Sequence, residues 1–189
     1  MLYTRKGDGG NTKLFDCPQG VYLNKSARIF QALGTVDEIN SFIGYTKVLS
    51  RKFGIFMYFK FKKINYEDIL NEIQQILFSI QAELGGSKIF VTTEDVLYLE
   101  EIIAEIETLL PPIHSFIIPG GSEVGAMLDV CRTVVRRGER EMVLLNETKE
   151  KEISPTSVMF MNRLSSAMYA MARFANYQSG NIENAPKYK

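Results

Sequence analysis

Apolar side chains recur every three or four residues along most of the chain beyond residue 30, and this spacing constrains the fold more than any other feature. Within residues 65–86 the recurring positions are Ile69, Leu70, Ile73, Ile76, Leu77, Ile80 and Leu84. Such spacing places apolar residues on one face of an α-helix. No stretch shows an apolar–polar alternation that argues for a sheet. The pattern therefore predicts an all-α protein.

Capping residues and helix breakers divide the chain into five predicted helices. Thr35 and Glu38 have the spacing of a capping box at the start of the first helix. Two glycines end the second helix, two prolines end the third, and Pro155 suits the start of the fifth. The predicted helical stretches are residues 34–49, 65–86, 92–112, 122–146 and 156–177. Five long helices with short connections indicate a helical bundle of the ferritin-like up-and-down type.

Length and composition narrow the class of protein. We expect one domain over residues 1–189, with a disordered tail at 180–189. The 22 basic and 22 acidic residues balance, which argues against a nucleic-acid partner. Cys17 and Cys131 form no CxxC pattern, so we expect neither a zinc site nor a disulfide. The apolar run 53–59 is much shorter than the ~20 residues of a membrane span, and no signal peptide is evident. These features predict a cytoplasmic protein without a membrane partner.

The segment RKFGIFMYFKFKK, residues 51–63, is unusually rich in aromatic and basic residues. It lies between the first two predicted helices. We expect an extension of the helix or a packed loop here. A contact surface for a membrane or a partner protein is the alternative.

The sequence CRTVVRRGERE in the fourth predicted helix is the main candidate for a binding site. The spacing places Arg132, Arg136 and Glu139 on one face, with Arg140 beside them. Guanidinium groups suit phosphate because their planar donors bind two oxygens at once. A neighbouring carboxylate can orient an arginine or help to hold a divalent cation. The alternative is a solvated face held together by ion pairs.

Two further segments carry polar or exposed candidates. Asn162 belongs to a polar stripe of the fifth predicted helix, and an amide can donate and accept hydrogen bonds at a nucleotide. Phe116 precedes a Pro-Gly-Gly turn, whose backbone N–H groups can attract anions. His114, the only histidine, is expected to be a surface residue. With no catalytic triad and no Walker sequence, an enzyme of this kind would act by positioning and charge stabilisation.

The N-terminal sequence YTRKGDGGNT, residues 3–12, has no apolar periodicity but carries two basic residues and three glycines. Chain termini commonly fray. This segment is therefore either a disordered tail or a segment that a ligand orders.

Five segments together resemble the trimeric ATP:cob(I)alamin adenosyltransferases of the PduO type. In chain order they are YTRKGDGGNT, ALGTVDEINSFIG, FIIPGG, CRTVVRRGERE and MNRLSSAMYAMAR. The resemblance extends from residue 3 to about residue 176. It implies a homotrimer with active sites between subunits, and transfer of the 5′-deoxyadenosyl group of ATP to the cobalt of cob(I)alamin with release of triphosphate. It also implies Mg²⁺, a corrinoid reductase as a possible supplier of cob(I)alamin, and an adenosylcobalamin-dependent enzyme as a possible recipient.

The resemblance assigns roles to individual residues. It implies that residues 1–24 form an ATP-binding segment, with ATP contacts from Thr4, Arg5, Lys6, Gly7, Thr12, Lys13, Lys25, Arg136, Arg137, Glu139, Arg140 and Asn162. Glu139 is the possible Mg²⁺ ligand. The implied catalytic residues are Arg136, Asp37, Arg132 and Phe116. Of these, Asp37 and Arg132 match an ion pair between subunits beside the corrinoid. Phe116 matches an aromatic residue that keeps the lower ligand away from cobalt.

The chain departs from this family pattern at three positions. Ser166 stands where an acid is common, Asp129 where a histidine is common, and Gly138 where alanine is usual. Two other functions remain alternatives at this point. One is a non-catalytic trimer that senses ATP or carries corrinoid, and the other is a helical scaffold that uses residues 51–63 for contacts.

Overall fold

The computed structural model describes residues 3–188 and contains five long α-helices. They are α1 (Arg28–Phe53), α2 (Tyr66–Leu84), α3 (Thr93–Leu109), α4 (Glu123–Glu147) and α5 (Pro155–Gln178). The five helices of the sequence prediction are therefore confirmed. Among residues 3–188, no helix combines the length and apolar character needed to cross a membrane.

The first helix begins earlier than the capping pattern predicted. Thr35 is a buried residue in the interior of α1, which starts seven residues before it at Arg28. Ile29 and Ala32 are buried as well, so the apolar stripe of α1 extends towards the N-terminus beyond the predicted start. Gly54 ends the helix in the left-handed conformation, at a φ of 65°, as a C-terminal glycine commonly does.

Two small antiparallel sheets contradict the expectation that the chain contains no strands. Strand β1 (Asn11–Thr12) pairs with β2 (Leu23–Asn24), and β3 (Phe56–Phe59) pairs with β4 (Lys62–Asn65). The second pair is a hairpin in the segment where we expected a helix extension or a loop. A two-residue turn joins its strands, and both turn residues, Lys60 and Phe61, have positive φ.

The hairpin is attached to the bundle by one of its faces. The Met57 side chain is buried, and the Phe59 ring meets the Tyr98 ring of α3 edge to face at 6.0 Å between centroids. Tyr58, which points to the opposite face, is exposed. Strand β3 is a continuous run of apolar and aromatic residues, and β4 begins with two lysines. Neither strand shows the alternation of a half-buried strand, and this is why the sequence pattern did not reveal them.

The core lies between the long helices. Helix α4 packs against α5 and α1, α1 also packs against α2, and α3 packs against α5. Fully buried aliphatic residues such as Leu77, Val135 and Met168 fill the space between them. Gly138 sits where α4 meets α1, and a Cβ atom there would lie 2.9 Å from Cδ1 of Ile39. A glycine at this point therefore allows the two helices to approach closely.

Candidate active site

The larger of two cavities beside α4 has a volume of about 960 Å³. Side chains from α3, α4 and α5 form its walls, together with the α3–α4 loop and the C-terminal segment. Its polar and aromatic lining includes His114, Phe116, Arg132, Arg136, Ser166, Tyr169, Arg173 and Tyr188. The structure thus brings Phe116, Arg132 and Arg136, three of the predicted site residues, to one cavity.

Two neighbours fix the position of Arg132 in this cavity. Its Nε donates a hydrogen bond to Oδ1 of Asp129, one helical turn earlier, at 3.1 Å. Its guanidinium carbon lies 5.8 Å from the centre of the Tyr169 ring, within the range of a cation–π contact. Partial burial raises the pKa of Tyr169 above its ordinary value, so its hydroxyl remains protonated at neutral pH.

The loop that carries Phe116 is fastened to the bundle at Gly120. The Gly120 N–H donates to Oδ2 of Asp129 at 3.3 Å, and the Gly120 carbonyl accepts from Nδ2 of Asn176 at 2.7 Å. Oδ1 of Asn176 also accepts from the backbone N–H of Ser122, at 2.8 Å. Phe116 itself is 78% exposed. Its ring is therefore available to a ligand in the cavity rather than used in the core.

The C-terminal segment forms one edge of the same cavity. Arg173 of α5 is buried and makes two hydrogen bonds to the carboxylate of Glu183, at 2.7 and 2.9 Å. The hydrogen bond to Glu183 raises the pKa of Arg173 above its ordinary value. The backbone N–H of Ile118 donates to the carbonyl of Asn184 at 2.9 Å. A segment whose composition predicts disorder thus makes specific contacts with the bundle.

The smaller cavity, of about 460 Å³, lies on the next turns of α4. It is lined by Arg136, Glu139, Arg140, Val143, Leu144, Glu147 and Asn162. Asn162 Nδ2 donates to Oε1 of Glu139 at 2.8 Å, and Nη1 of Arg140 donates to the Arg136 carbonyl at 3.0 Å. Four predicted nucleotide contacts therefore share one pocket. Arg136 lines both cavities and stands between them.

Arg137 and Asp37 lie away from these two cavities. The Arg137 guanidinium pairs with the Glu38 carboxylate of α1. Arg137 follows Arg136 in the sequence, but it lines neither of the two cavities that Arg136 lines. Asp37 accepts from Nε2 of Gln81 at 3.5 Å, whereas Arg132 pairs with Asp129 within the same chain. The implied ion pair of Asp37 with Arg132 concerns two subunits and remains a prediction.

The N-terminal segment is organised around Lys25. Its Nζ donates to the Gly7 carbonyl at 2.8 Å, and Thr12 pairs with Leu23 in the first sheet. A Cβ atom on Gly7 would lie 2.9 Å from the Lys25 Nζ, so a glycine suits this contact. The basic or hydroxyl side chains of Thr4, Arg5, Lys6 and Lys13 are exposed. Within residues 3–188, this segment lines neither cavity of its own chain.

The sequence did not reveal several residues of the two cavities. Tyr188 and its neighbours Ala185 and Pro186 belong to the segment predicted to be disordered, and no pattern in the sequence signals their place. Glu147 lies at the end of α4 and was not predicted as a site residue. It follows Arg140 by two helical turns, and this spacing could have indicated that both line the smaller cavity. His114 is exposed, as expected, but it also lines the larger cavity.

Together these features define a class of protein: a helical bundle with a cation-lined pocket of nucleotide size beside a larger, mainly apolar cavity. The model of the cobalamin adenosyltransferase family matches residues 2–175. The chain therefore belongs to the cobalamin adenosyltransferase family.

Relatives and solved structures agree with this assignment. A corrinoid adenosyltransferase of Bacillus subtilis is 36% identical over 95% of this chain and 88% of its own length. The corrinoid adenosyltransferase PduO of Salmonella typhimurium is 32% identical over 91% of this chain, which spans 48% of that longer protein. A variant of the PduO-type ATP:corrinoid adenosyltransferase of Lactobacillus reuteri, complexed with cobalamin and ATP, superposes with a TM-score of 0.84. It is 32% identical, and the match covers 99% of this chain and 97% of that one.

Proposed function

We propose that this protein transfers the 5′-deoxyadenosyl group of ATP to the cobalt of cob(I)alamin, giving adenosylcobalamin and triphosphate. The observation that carries the proposal is the position of Arg136, which lines both cavities. A transferase that joins two large substrates needs their sites to meet, and a cation at the boundary suits the phosphate group that leaves.

The larger cavity suits the corrinoid. A volume of about 960 Å³ lies at the upper end of the range for ligand pockets. Phe116 is exposed there and supplies an apolar ring beside the position that a lower cobalt ligand would occupy. Arg132 and Asp37 are assigned to an ion pair that joins two subunits at the edge of this site. The exclusion of the lower ligand makes cobalt(II) easier to reduce to the reactive cobalt(I).

The smaller cavity suits the nucleotide. Arg136 and Arg140 supply cationic donors, and Asn162 supplies an amide that its bond to Glu139 holds in place. In our proposal the N-terminal segment of a neighbouring subunit completes this site with Thr4, Arg5, Lys6, Gly7, Thr12, Lys13 and Lys25. Its glycines allow backbone N–H groups to approach phosphate oxygens. Arg137 is assigned to the same site by resemblance alone.

The residues of the smaller cavity also fit Mg²⁺ bound together with ATP. Residues 3–188 contain no group of three or more acidic, histidine or cysteine side chains that would hold a metal alone. Mg²⁺ commonly uses one or two carboxylates together with substrate phosphates, and Glu139 and Glu147 line this pocket. Glu139 is the proposed ligand. The ion, when bound, would neutralise part of the charge on the triphosphate.

The proposed reaction is a direct displacement. The cobalt(I) electron pair attacks C5′ of ATP, a Co–C bond forms, and the C5′–O bond breaks as its electron pair leaves with the triphosphate. The cobalt is formally oxidised to cobalt(III). Arg136 and Arg140 stabilise the charge that grows on the leaving oxygens. No covalent bond to the protein is required, in agreement with the lack of a nucleophilic triad in the sequence.

The proposal extends to assembly and partners. Exposed apolar residues on the long helices, among them Tyr45, Val48, Phe78, Leu97 and Met159, are candidates for the contacts of a homotrimer. We place the protein in the cytoplasm. A corrinoid reductase is the proposed source of cob(I)alamin, and an adenosylcobalamin-dependent enzyme is the proposed recipient of the product.

Product analysis tests this function. Purified protein, ATP, Mg²⁺ and chemically reduced cob(I)alamin are incubated without oxygen, and the products are separated by chromatography. We expect adenosylcobalamin and triphosphate in equal amounts. If both substrates bind but neither product forms, the protein is a sensor or carrier and the proposal fails.

A further inference from the structure

Asp129 is a buried carboxylate that binds two parts of the larger cavity, Arg132 of α4 and the α3–α4 loop at Gly120. Its side chain projects from α4 one turn before Arg132, and the residue is only 8% exposed. Oδ1 accepts from Nε of Arg132 at 3.1 Å, and Oδ2 accepts from the N–H of Gly120 at 3.3 Å. Burial of a carboxylate is unfavourable unless it is paired and hydrogen-bonded. Both of its oxygens are used here.

The bond to Asp129 leaves most of the Arg132 guanidinium free for other partners. Arginine has five N–H donors in a planar fork, and this contact uses the single donor on Nε. The terminal nitrogens keep the other four. With Asp129 at one end and the Tyr169 ring 5.8 Å from the guanidinium carbon, the side chain is held at the wall of the cavity.

The second bond of Asp129 acts on the loop that carries Phe116. Gly120 has a φ of 121° and the following Gly121 a φ of 113°, a conformation that L side chains rarely adopt. Asn176 binds the Gly120 carbonyl while Asp129 binds its N–H. Two side chains thus bind the loop at Gly120, four residues beyond Phe116. One of them, Asp129, also binds Arg132.

We propose that Asp129 is a positioning residue of the corrinoid site, which fixes Arg132 and the Phe116 loop relative to each other. This inference rests on the proposed function. Asp129 itself touches no reacting atom. The two donors, Nε–H of Arg132 and N–H of Gly120, bind different oxygens of Asp129, so the bridge needs both acceptor atoms of a carboxylate.

The substitution Asp129→Asn tests the bridge with almost no change of shape. One oxygen becomes an NH₂ group, which then faces either the Arg132 Nε–H or the Gly120 N–H, so one contact is replaced by two opposed donors. Loss of one partner from a buried charged pair has a large effect, so we expect the KM for cob(I)alamin to rise about tenfold or more. The KM for ATP should change by less than about twofold.

A spectroscopic measurement separates positioning from general structural damage. With ATP present, electron paramagnetic resonance of bound cob(II)alamin reports the fraction that lacks a lower ligand. We expect this fraction to fall in Asp129→Asn, because at Gly120 the Phe116 loop then relies on the bond to Asn176 and is held less firmly. The matched control is Glu150→Gln, which alters an exposed carboxylate paired with Arg28 at 2.9 Å. It should leave both readouts unchanged.

The outcomes decide the inference. An unchanged KM for cob(I)alamin together with an unchanged cob(II)alamin spectrum would overturn it. An equal rise of both KM values with a lower melting temperature would overturn it as well, since that result indicates a structural role alone. If Asp129→Asn does not fold, the variant Asp129→Glu takes its place, because it keeps the charge but moves the two oxygens. A cob(II)alamin spectrum equal to that of the wild type in this variant would then overturn the inference. A wild-type protein without turnover would overturn the proposed function first, and this inference with it.

Discussion

Asn162 of α5 donates a hydrogen bond to Glu139 of α4, with 2.8 Å between Nδ2 and Oε1. The bond spans the junction of two helices that pack closely against each other, and it lies in the smaller cavity beside Arg136 and Arg140. It fixes the Glu139 carboxylate at the wall of the cavity that both arginines line. The cavity therefore combines the cationic groups of Arg136 and Arg140 with two carboxylates, those of Glu139 and Glu147.

Arg136 is expected to be the most sensitive side chain of the site. Because it lines both cavities and is exposed, Arg136→Ala should leave the fold intact and remove charge stabilisation of the leaving triphosphate. Loss of one such donor commonly lowers the rate by about 10²–10³-fold, and we expect kcat to fall by that order. The rate is followed as the disappearance of cob(I)alamin absorption.

The control for this variant is Arg28→Ala. Arg28 is an exposed arginine paired with Glu150 outside the two cavities. Exposed ion pairs of this kind contribute little to the free energy of unfolding. Because Arg28 also lines neither cavity, this variant should keep nearly full activity. Near-normal turnover of Arg136→Ala would remove Arg136 from the mechanism.

Phe116 is expected to matter for activity but not for stability. Its side chain is largely exposed, so Phe116→Ala should shift the melting temperature very little. We expect kcat/KM for cobalamin to fall by about tenfold or more, since about 1.4 kcal/mol of transition-state stabilisation gives that factor. The fully exposed Phe61 at the hairpin tip is the control, and Phe61→Ala should change neither quantity. A Phe116→Ala variant with wild-type kcat/KM would contradict the assigned role.

Two glycines inside helices should respond in opposite ways to alanine. A Cβ atom added at Gly34 would meet no neighbouring atom within 4 Å, so Gly34→Ala should raise the free energy of unfolding by about 0.5–1 kcal/mol. At Gly138 the added methyl group would crowd Ile39, Met161 and Thr35 at 2.9–3.3 Å. Overpacking lowers the free energy of unfolding by about 1–3 kcal/mol, whereas the higher helix propensity of alanine raises it by about 1 kcal/mol. We therefore expect Gly138→Ala to lower stability by about 1 kcal/mol.

Chemical denaturation at equal protein concentration measures both glycine variants, because assembly makes apparent stability depend on concentration. If Gly138→Ala stabilised the protein as much as Gly34→Ala, the close approach of α1 and α4 would be wrong.

Cys131 should make stability depend on pH above 9. Burial raises the pKa of its thiol from 9.0 to about 11, while the hydrogen bond with Thr46 acts in the opposite direction. As pH rises from 9 to 11, the unfolded chain loses this proton before the folded chain does. The unfolded state then binds fewer protons, so the free energy of unfolding falls, by up to about 1.4 kcal/mol per pH unit.

Denaturation curves between about pH 8 and 11 test this dependence. The variant Cys131→Ala removes the thiol and should lose the part of the slope that Cys131 supplies. A slope that is the same in both proteins would show that the thiol does not titrate as its burial requires.

The sequence predicted the helices well because their apolar spacing is regular over many turns. It failed at the start of α1, since the Thr35–Glu38 spacing of a capping box also occurs inside helices and local pattern alone does not distinguish the two cases. It failed at the hairpin because Lys62, which pairs with Phe59 on the face towards the bundle, stands where an apolar residue is expected. Those strands form through pairing and through contact of Phe59 with α3, which are not local properties.

The site was predictable where its residues share one helix. The spacing of Arg132, Arg136 and Glu139 placed them on one face, and all three line the cavities. Contacts between distant segments were not predictable from spacing. The pairing of Arg173 with Glu183, and the double contact of Asp129, depend on where the loop and the C-terminal segment return to the bundle.

A single-turnover reaction without oxygen shows whether this chain catalyses adenosyl transfer. Cob(I)alamin is mixed with an excess of protein, ATP and Mg²⁺, and the cob(I)alamin absorption band is followed over time. If this chain catalyses the transfer, the band disappears with ATP, the spectrum of adenosylcobalamin takes its place, and the band persists without ATP. A band that persists in the presence of ATP, with ATP and cobalamin both bound, would contradict the proposed transfer.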